Sequence, residues 1–240
     1  MKETKVKKKK KLYEGKAKIV YETDKEDYLI QEFKDDATAL DGKKKGKIKA
    51  KGSINNQISA HLFNFLENYH VSTHFVSLFS DNAMVISKLE MIPVEVVMRN
   101  IATGSLVKRY GVEEGKELEH PILEFYLKDD AKHDPMINKD HVISFGYASE
   151  DEVKQIVRLT QKTNAVLKSF FYRRNLLLVD FKLEYGRNKS GKLRLGDEIS
   201  PDTCRFWDIN SGEKLDKDRF RHDLGNVEKA YQEVQARVFK

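Results

Sequence analysis

The chain has 240 residues, 40% of them hydrophobic and only four of them proline, enough to bury a real core in one large domain or two lobes. A single cysteine, Cys204, excludes an internal disulfide; with no secretory stretch and no membrane-length apolar run, the expected setting is the cytoplasm, away from membranes. The formal net charge of +6 raises the question of nucleic acid, but residues 1–11 carry it with seven lysines against Glu3, and the remainder balances.

Residues 1–11 are therefore expected to form a solvated, disordered basic tail rather than a nucleic-acid arm. Residues 12–23 and 28–33 read as strands around polar turns, with Gly15 at a tight backbone position and Lys16 and Lys18 presenting charge beside it. This unit fits either an exposed hairpin or a cover for nucleotide phosphates. The lysines from Lys43 to Lys51 read as a solvated loop or an attractor for an anionic ligand. Ile54, Ile58, Leu62, Phe65, Leu66 and Tyr69 follow helical spacing, with Ser53 as the expected cap.

Short strands are expected over 84–87 and 94–98. The second runs into the turn Ala102-Thr103-Gly104-Ser105, where Arg99, Ser105 and free amides would cradle a phosphate or carboxylate. Ser149 and Glu152 form a capping-box pattern ahead of an apolar stripe that reaches Phe171, which predicts the longest helix. A strand follows over 176–186, a turn over 188–191, and a return over 192–199; Val227, Tyr231, Val234 and Val238 predict a final helix.

Side chains alternate along a strand, so Asp180, Lys182 and Glu184 share one face. A simple hairpin register sets Glu184 opposite Leu195 and Lys182 opposite Asp197, which brings two carboxylates beside a lysine. Hard oxygen ligands of this kind suit Mg²⁺, which takes one or two protein carboxylates and fills its other positions with water and phosphate. A strand with one solvated face also alternates Asp, Lys and Glu, so the residues alone leave both readings open. The segment from Gly196 through Asp202 and Arg205 to Trp207 reads as a site edge or as a capped turn. Gly42 to Lys47 is one residue short of a P-loop, no G-x-G-x-x-G occurs, and no zinc-type Cys/His spacing exists. His133 reads as a structural residue of a polar turn.

In combination, Gly15-Lys16-Ala17-Lys18, the Pro93–Ser105 segment, the Leu178–Gly186 strand and the Gly196–Asp208 segment resemble the SAICAR synthetase family of purine biosynthesis, from about Leu12 to the C-terminus. Thr103 stands where the family usually carries alanine. The resemblance implies an α+β, two-lobed fold with ATP between the lobes: a small N-terminal antiparallel sheet lobe over 12–90 and a larger lobe over 91–240. It implies a ligase in which ATP activates the carboxylate of carboxyaminoimidazole ribotide (CAIR) as an acyl phosphate and L-aspartate displaces phosphate.

Carried over by position, Lys16, Ala17 and Lys18 would cover the ATP phosphates and Met91 would lie by the adenine. Glu184 and Asp197 would hold Mg²⁺, and Lys182, with Asp180 near by, would serve catalysis. Arg99, Ser105, Asp202 and Arg205 would bind the imidazole nucleotide, with Lys128, Asp134 and Lys217 also at the site. The expected partners are CAIR, L-aspartate and ATP, with a homodimer as the assembly. The rival readings are a small-molecule kinase built on the same ATP and Mg²⁺ site, and a nucleic-acid module built on the lysine clusters.

Overall fold

The computed structural model describes residues 4–39 and 42–240. In chain order its first part contains β1 (Lys8–Glu14), β2 (Lys18–Thr23), β3 (Tyr28–Phe33), β4 (Asp36–Ala39), β5 (Lys44–Lys47), α1 (Lys51–Glu67), β6 (Phe75–Ser80) and β7 (Ala83–Ser87). The second part contains β8 (Glu90–Ile101), α2 (Ser105–Tyr110), β9 (Glu117–Leu127), β10 (Met136–Ile137), α3 (Lys139–Ser144) and α4 (Glu150–Tyr172). It closes with β11 (Leu176–Arg187), β12 (Leu193–Leu195), β13 (Cys204–Asp208), α5 (Asp218–Arg221) and α6 (Val227–Val238).

These elements form two large antiparallel sheets, one per lobe, and a separate two-stranded pairing of β4 with β5. The first has the order β1-β2-β3-β7-β6; the second has β10-β9-β8-β11-β12, with β13 also paired to β11. The chain leaves the first sheet at Ser87 and enters the second at Glu90. Helix α1 packs on the first sheet and against α6, which joins the last helix to the first lobe through Gln235 Nε2 to Gln57 Oε1 at 2.7 Å and the His61 and Phe239 rings at 5.1 Å. One buried cluster runs from Phe33, Ile58 and Leu62 to Val96, Phe181 and Phe206.

Three local expectations are corrected. The basic segment is not a tail throughout, because Lys8 to Lys11 belong to edge strand β1; residues 1–3 lie outside the described residues. Lys8 pairs with Glu32 of β3 at 2.5 Å and Lys11 with Glu14 of β1 itself at 2.7 Å, so carboxylates of the same sheet supply counter-charges, and lysine suits an edge that must not recruit another strand. Ser53 does not cap α1, which begins two residues earlier. The carboxylate of Asp35 accepts from the N–H groups of Ala50 and Gly52 at 3.2 and 2.9 Å, so a group from the bend between β3 and β4 caps the helix.

Third, the β11–β12 register differs by one residue: Tyr185, not Glu184, stands opposite Leu195. The loop is longer than a simple hairpin turn because Asn188 Oδ1 accepts from the N–H groups of Ser190 and Lys192 and holds residues 188–192 out of the ladder. The return strand ends at Leu195, short of Asp197.

Candidate active site

Strand β11 supplies the floor of the site. Asp180, Lys182 and Glu184 stand opposite Arg99, Val97 and Glu95 of β8, which places Arg99 and Glu95 on the same face. The strand is buried on both faces, so its charges must be paired. Lys182 Nζ donates to Glu184 and Glu95, both at 2.7 Å, and lies 3.9 Å from Asp197. Lys128 donates to the other oxygen of Glu184.

Asp197 reaches this face without a ladder position. Its backbone has φ 58°, a left-handed conformation that aspartate tolerates better than most residues, and it swings the carboxylate into the cleft. Gln31 Nε2 of β3 holds its carbonyl at 3.1 Å. Lys18 of β2 meets both Asp197 and Glu198, the latter at 2.9 Å. Burial alone would raise the Asp197 carboxyl, but Lys18, Lys182 and Lys128 hold it well below the usual carboxylate range. Burial alone would lower the Lys18 ammonium, but Asp197, Glu198 and Glu184 raise it, so it stays charged.

The cleft between the lobes has a volume of about 430 Å³. The Gly15-Lys16-Ala17 turn between β1 and β2 lines one side; Lys182, Glu184, Asp197 and Asp202 line the other. Asp134, Lys128 and Lys217 are also in its wall. Lys16 pairs with Asp130 across the lobes at 2.7 Å. An adjoining cleft of about 290 Å³ shares Lys182, Asp202 and Thr203 and extends to Arg99, Asp180 and Arg205.

Around this second cleft, Arg99 Nη2 donates to Ser105 Oγ at 2.9 Å, and Asp180 Oδ2 accepts from Arg99 at 3.0 Å and Arg205 at 2.7 Å. Gly104 has φ 58°, and a Cβ there would lie 3.0 Å from Arg205 Nη2, so glycine lets the turn sit on the guanidinium. Asp202 accepts from Lys51 and Tyr231, each at 2.7 Å. Met91 stands apart from both cleft walls, on β8 against Gly186 and Gly196, where added Cβ atoms would meet its side chain.

Glu95 and Glu198 were missed by the sequence reading. Glu95 was accessible to it, because positions 95, 97 and 99 alternate with the same period that groups Asp180 with Glu184. Lys51 was hidden in a lysine cluster that reads as solvated, yet it is fully buried. Cys204 is buried and its thiol is pushed up by that burial, which suits packing and not nucleophilic attack. His133 caps a single 3₁₀ turn with φ 58°, as its polar-turn setting suggests.

The sequence pattern of the SAICAR synthetase family matches residues 11–238. The chain belongs to that family. It is 58% identical over 227 residues to a phosphoribosylaminoimidazole-succinocarboxamide synthase from Chlorobium phaeobacteroides, covering 95% of this chain and 96% of the relative. The crystal structure of such a synthase from Ehrlichia chaffeensis superposes with a TM-score of 0.94 at 43% identity, covering 95% of this chain and 98% of that one. A SAICAR synthetase solved in complex with ADP superposes with a TM-score of 0.92 at 49% identity, covering 94% of this chain and 96% of that chain. The two-lobed α+β fold is thus the family's. No helix among the described residues is long and apolar enough to cross a membrane.

Proposed function

We infer that this chain forms an amide between the carboxylate of CAIR and the amine of L-aspartate, with ATP cleaved to ADP and phosphate, as its family membership implies. One observation carries the assignment of the site: Lys18 from one lobe and Lys182 from the other meet at Asp197 in a single cleft, with Glu184 also on Lys182. An amine does not readily attack a carboxylate anion, so the carboxylate must first receive a leaving group. The site must then hold crowded phosphate charge beside an anionic substrate.

Glu184 and Asp197 fit Mg²⁺ because both offer hard oxygens and both already lie within 4 Å of one cation, the Lys182 ammonium. When bound there, Mg²⁺ would neutralise phosphate charge and polarise the transferring phosphoryl group. Lys16 and Lys18, with the backbone of Ala17, would cover the phosphates from above, and Met91 would lie at the adenine end. Arg99, Ser105 and Arg205 would take the anionic groups of the imidazole nucleotide, with Asp202 at the boundary between the clefts. Lys182 would bridge nucleotide and substrate charge, while Asp180 would act through the guanidiniums it joins.

A coupled assay with CAIR, ATP and aspartate, each omitted in turn, tests this function. Phosphate release is expected only with all three present. A stable phosphorylated product formed without aspartate would identify a kinase and overturn the ligase. The same family resemblance extends the proposal to a cytoplasmic homodimer. Sedimentation velocity should then give twice the 27.9 kDa chain mass.

A further inference from the structure

Glu124 of β9 is a buried carboxylate that the proposed chemistry does not use. Its Oε1 accepts from Arg109 at 2.7 Å, and its Oε2 accepts from Arg99 Nε at 2.6 Å. Tyr126 Oη donates to the same Oε2 at 2.8 Å and accepts from both guanidiniums, at 2.7 Å from Arg109 and 3.3 Å from Arg99. From Arg99 the contacts continue through Asp180 to Arg205, then through Asp218 to Arg221. A row of alternating charge therefore crosses neighbouring strands β9, β8, β11 and β13 and ends on α5.

Four guanidiniums alternate with three carboxylates, so the row keeps one positive charge and ends on arginine at both sides. Buried ion pairs of this kind contribute little net stability, because desolvation offsets most of the attraction. Their effect is directional, since a carboxylate on the Nε edge fixes the plane of a guanidinium. Arg99 has Glu124 on Nε, Asp180 on Nη1, and Tyr126 and Ser105 on Nη2. All three of its nitrogens are held in this way, and the side chain lines the second cleft.

We propose that Glu124 is a positioning residue for phosphomonoester recognition, fixing Arg99 so that its cleft edge and Ser105 meet the phosphate of the nucleotide substrate. This rests on the reading that Arg99 and Ser105 bind the imidazole nucleotide. Electrostatics alone makes the opposite prediction. Replacing Glu124 by glutamine adds one positive charge to the row, which would tighten an anion, whereas lost orientation loosens it.

Steady-state kinetics of E124Q decide between them. The variant keeps the shape of the side chain but presents an NH2 group to a guanidinium. The KM for CAIR should rise about tenfold, the scale of one charge-assisted hydrogen bond, while kcat and the KM for ATP and aspartate stay within about twofold. E124D, which restores the carboxylate, should recover part of the loss. A lower or unchanged KM for CAIR, or an equal rise for all three substrates, would overturn the proposal. Should E124Q fail to fold, Y126F removes the hydroxyl that ties Glu124 to both guanidiniums, and a rise of about threefold in the same KM is expected; no change overturns the proposal. R99K separates the two levels. If it leaves the KM for CAIR unchanged, the underlying nucleotide reading fails, whereas a rise in R99K without one in E124Q removes only the role of Glu124.

Discussion

Asp197 comes within 3.9 Å of Lys182 although it lies beyond the end of strand β12. A regular hairpin would place Asp197 opposite Lys182, but the ladder ends at Leu195 and a left-handed backbone delivers the carboxylate instead. The shared face of β11 was legible because charge alternates with period two; the turn was not, because backbone sign at a non-glycine residue leaves no mark in composition. Replacing Glu184 by glutamine or Asp197 by asparagine should preserve the fold and lower kcat by about 10² or more, the scale of lost transition-state charge stabilisation. Near-normal turnover in both variants, measured beside unchanged circular dichroism, would remove them from metal binding. Gly104→Ala should cost about 1–3 kcal/mol from the positive-φ backbone alone. It should also raise the KM for CAIR by displacing Arg205 Nη2, 3.0 Å from the new Cβ. Unchanged melting and KM together would count against the packed turn.

At the scale of elements, legibility depended on how far away the controlling group lay. The start of α4 was readable because its cap is local: Ser149 accepts from the Glu152 N–H, and the Glu152 side chain accepts from the Ser149 N–H. The start of α1 was not readable, because Asp35 caps it from 15 and 17 residues upstream. Strand β9, with Pro121 and a largely exposed first half, showed no alternation, and Glu124 remained invisible with it. Glu152 does more than cap. Arg187 at the end of β11 donates to both its oxygens, at 2.5 and 2.9 Å, and this pairing, together with the Ser149 N–H, brings its pKa down to about 2 from an ordinary 4.5. Because the folded value is the lower one, the added stability is complete above about pH 4.5 and is lost as pH falls toward 2. E152Q should therefore be less stable by about 1–2 kcal/mol at pH 7, after screening at two partly exposed side chains. The gap should close as pH falls from 5 toward 2. Urea titrations across that range check it, and a gap independent of pH would show that the ion pair does not govern the junction.

At the scale of the whole molecule, the resemblance supplied the two lobes, whereas the strand and helix patterns alone defined no sharp boundary. The reason is physical: one apolar cluster runs through both lobes, and α6 returns from the end of the chain to pack on α1. What distinguishes the lobes is the polar cleft between them, where Lys18 meets Asp197 and Glu198 and Lys16 meets Asp130. The cleft thus neutralises its own charges, and on the proposed reading a nucleotide and its metal would exchange these partners, the lysines pairing with phosphates and the carboxylates with the metal. Binding that spans both lobes stabilises the folded chain as a unit. ADP with Mg²⁺ at about 100 times its Kd should add about 2.7 kcal/mol, or roughly 5–10 °C in Tm for a chain of this length. A chelator should remove most of that rise if the metal bridges phosphate to Glu184 and Asp197. In D197N, a hundredfold weaker Kd would leave about 0.4 kcal/mol at the same ligand concentration, a rise of roughly 1 °C. Scanning calorimetry with and without ligand measures both, and a full wild-type rise in D197N would place the nucleotide's metal elsewhere in the cleft.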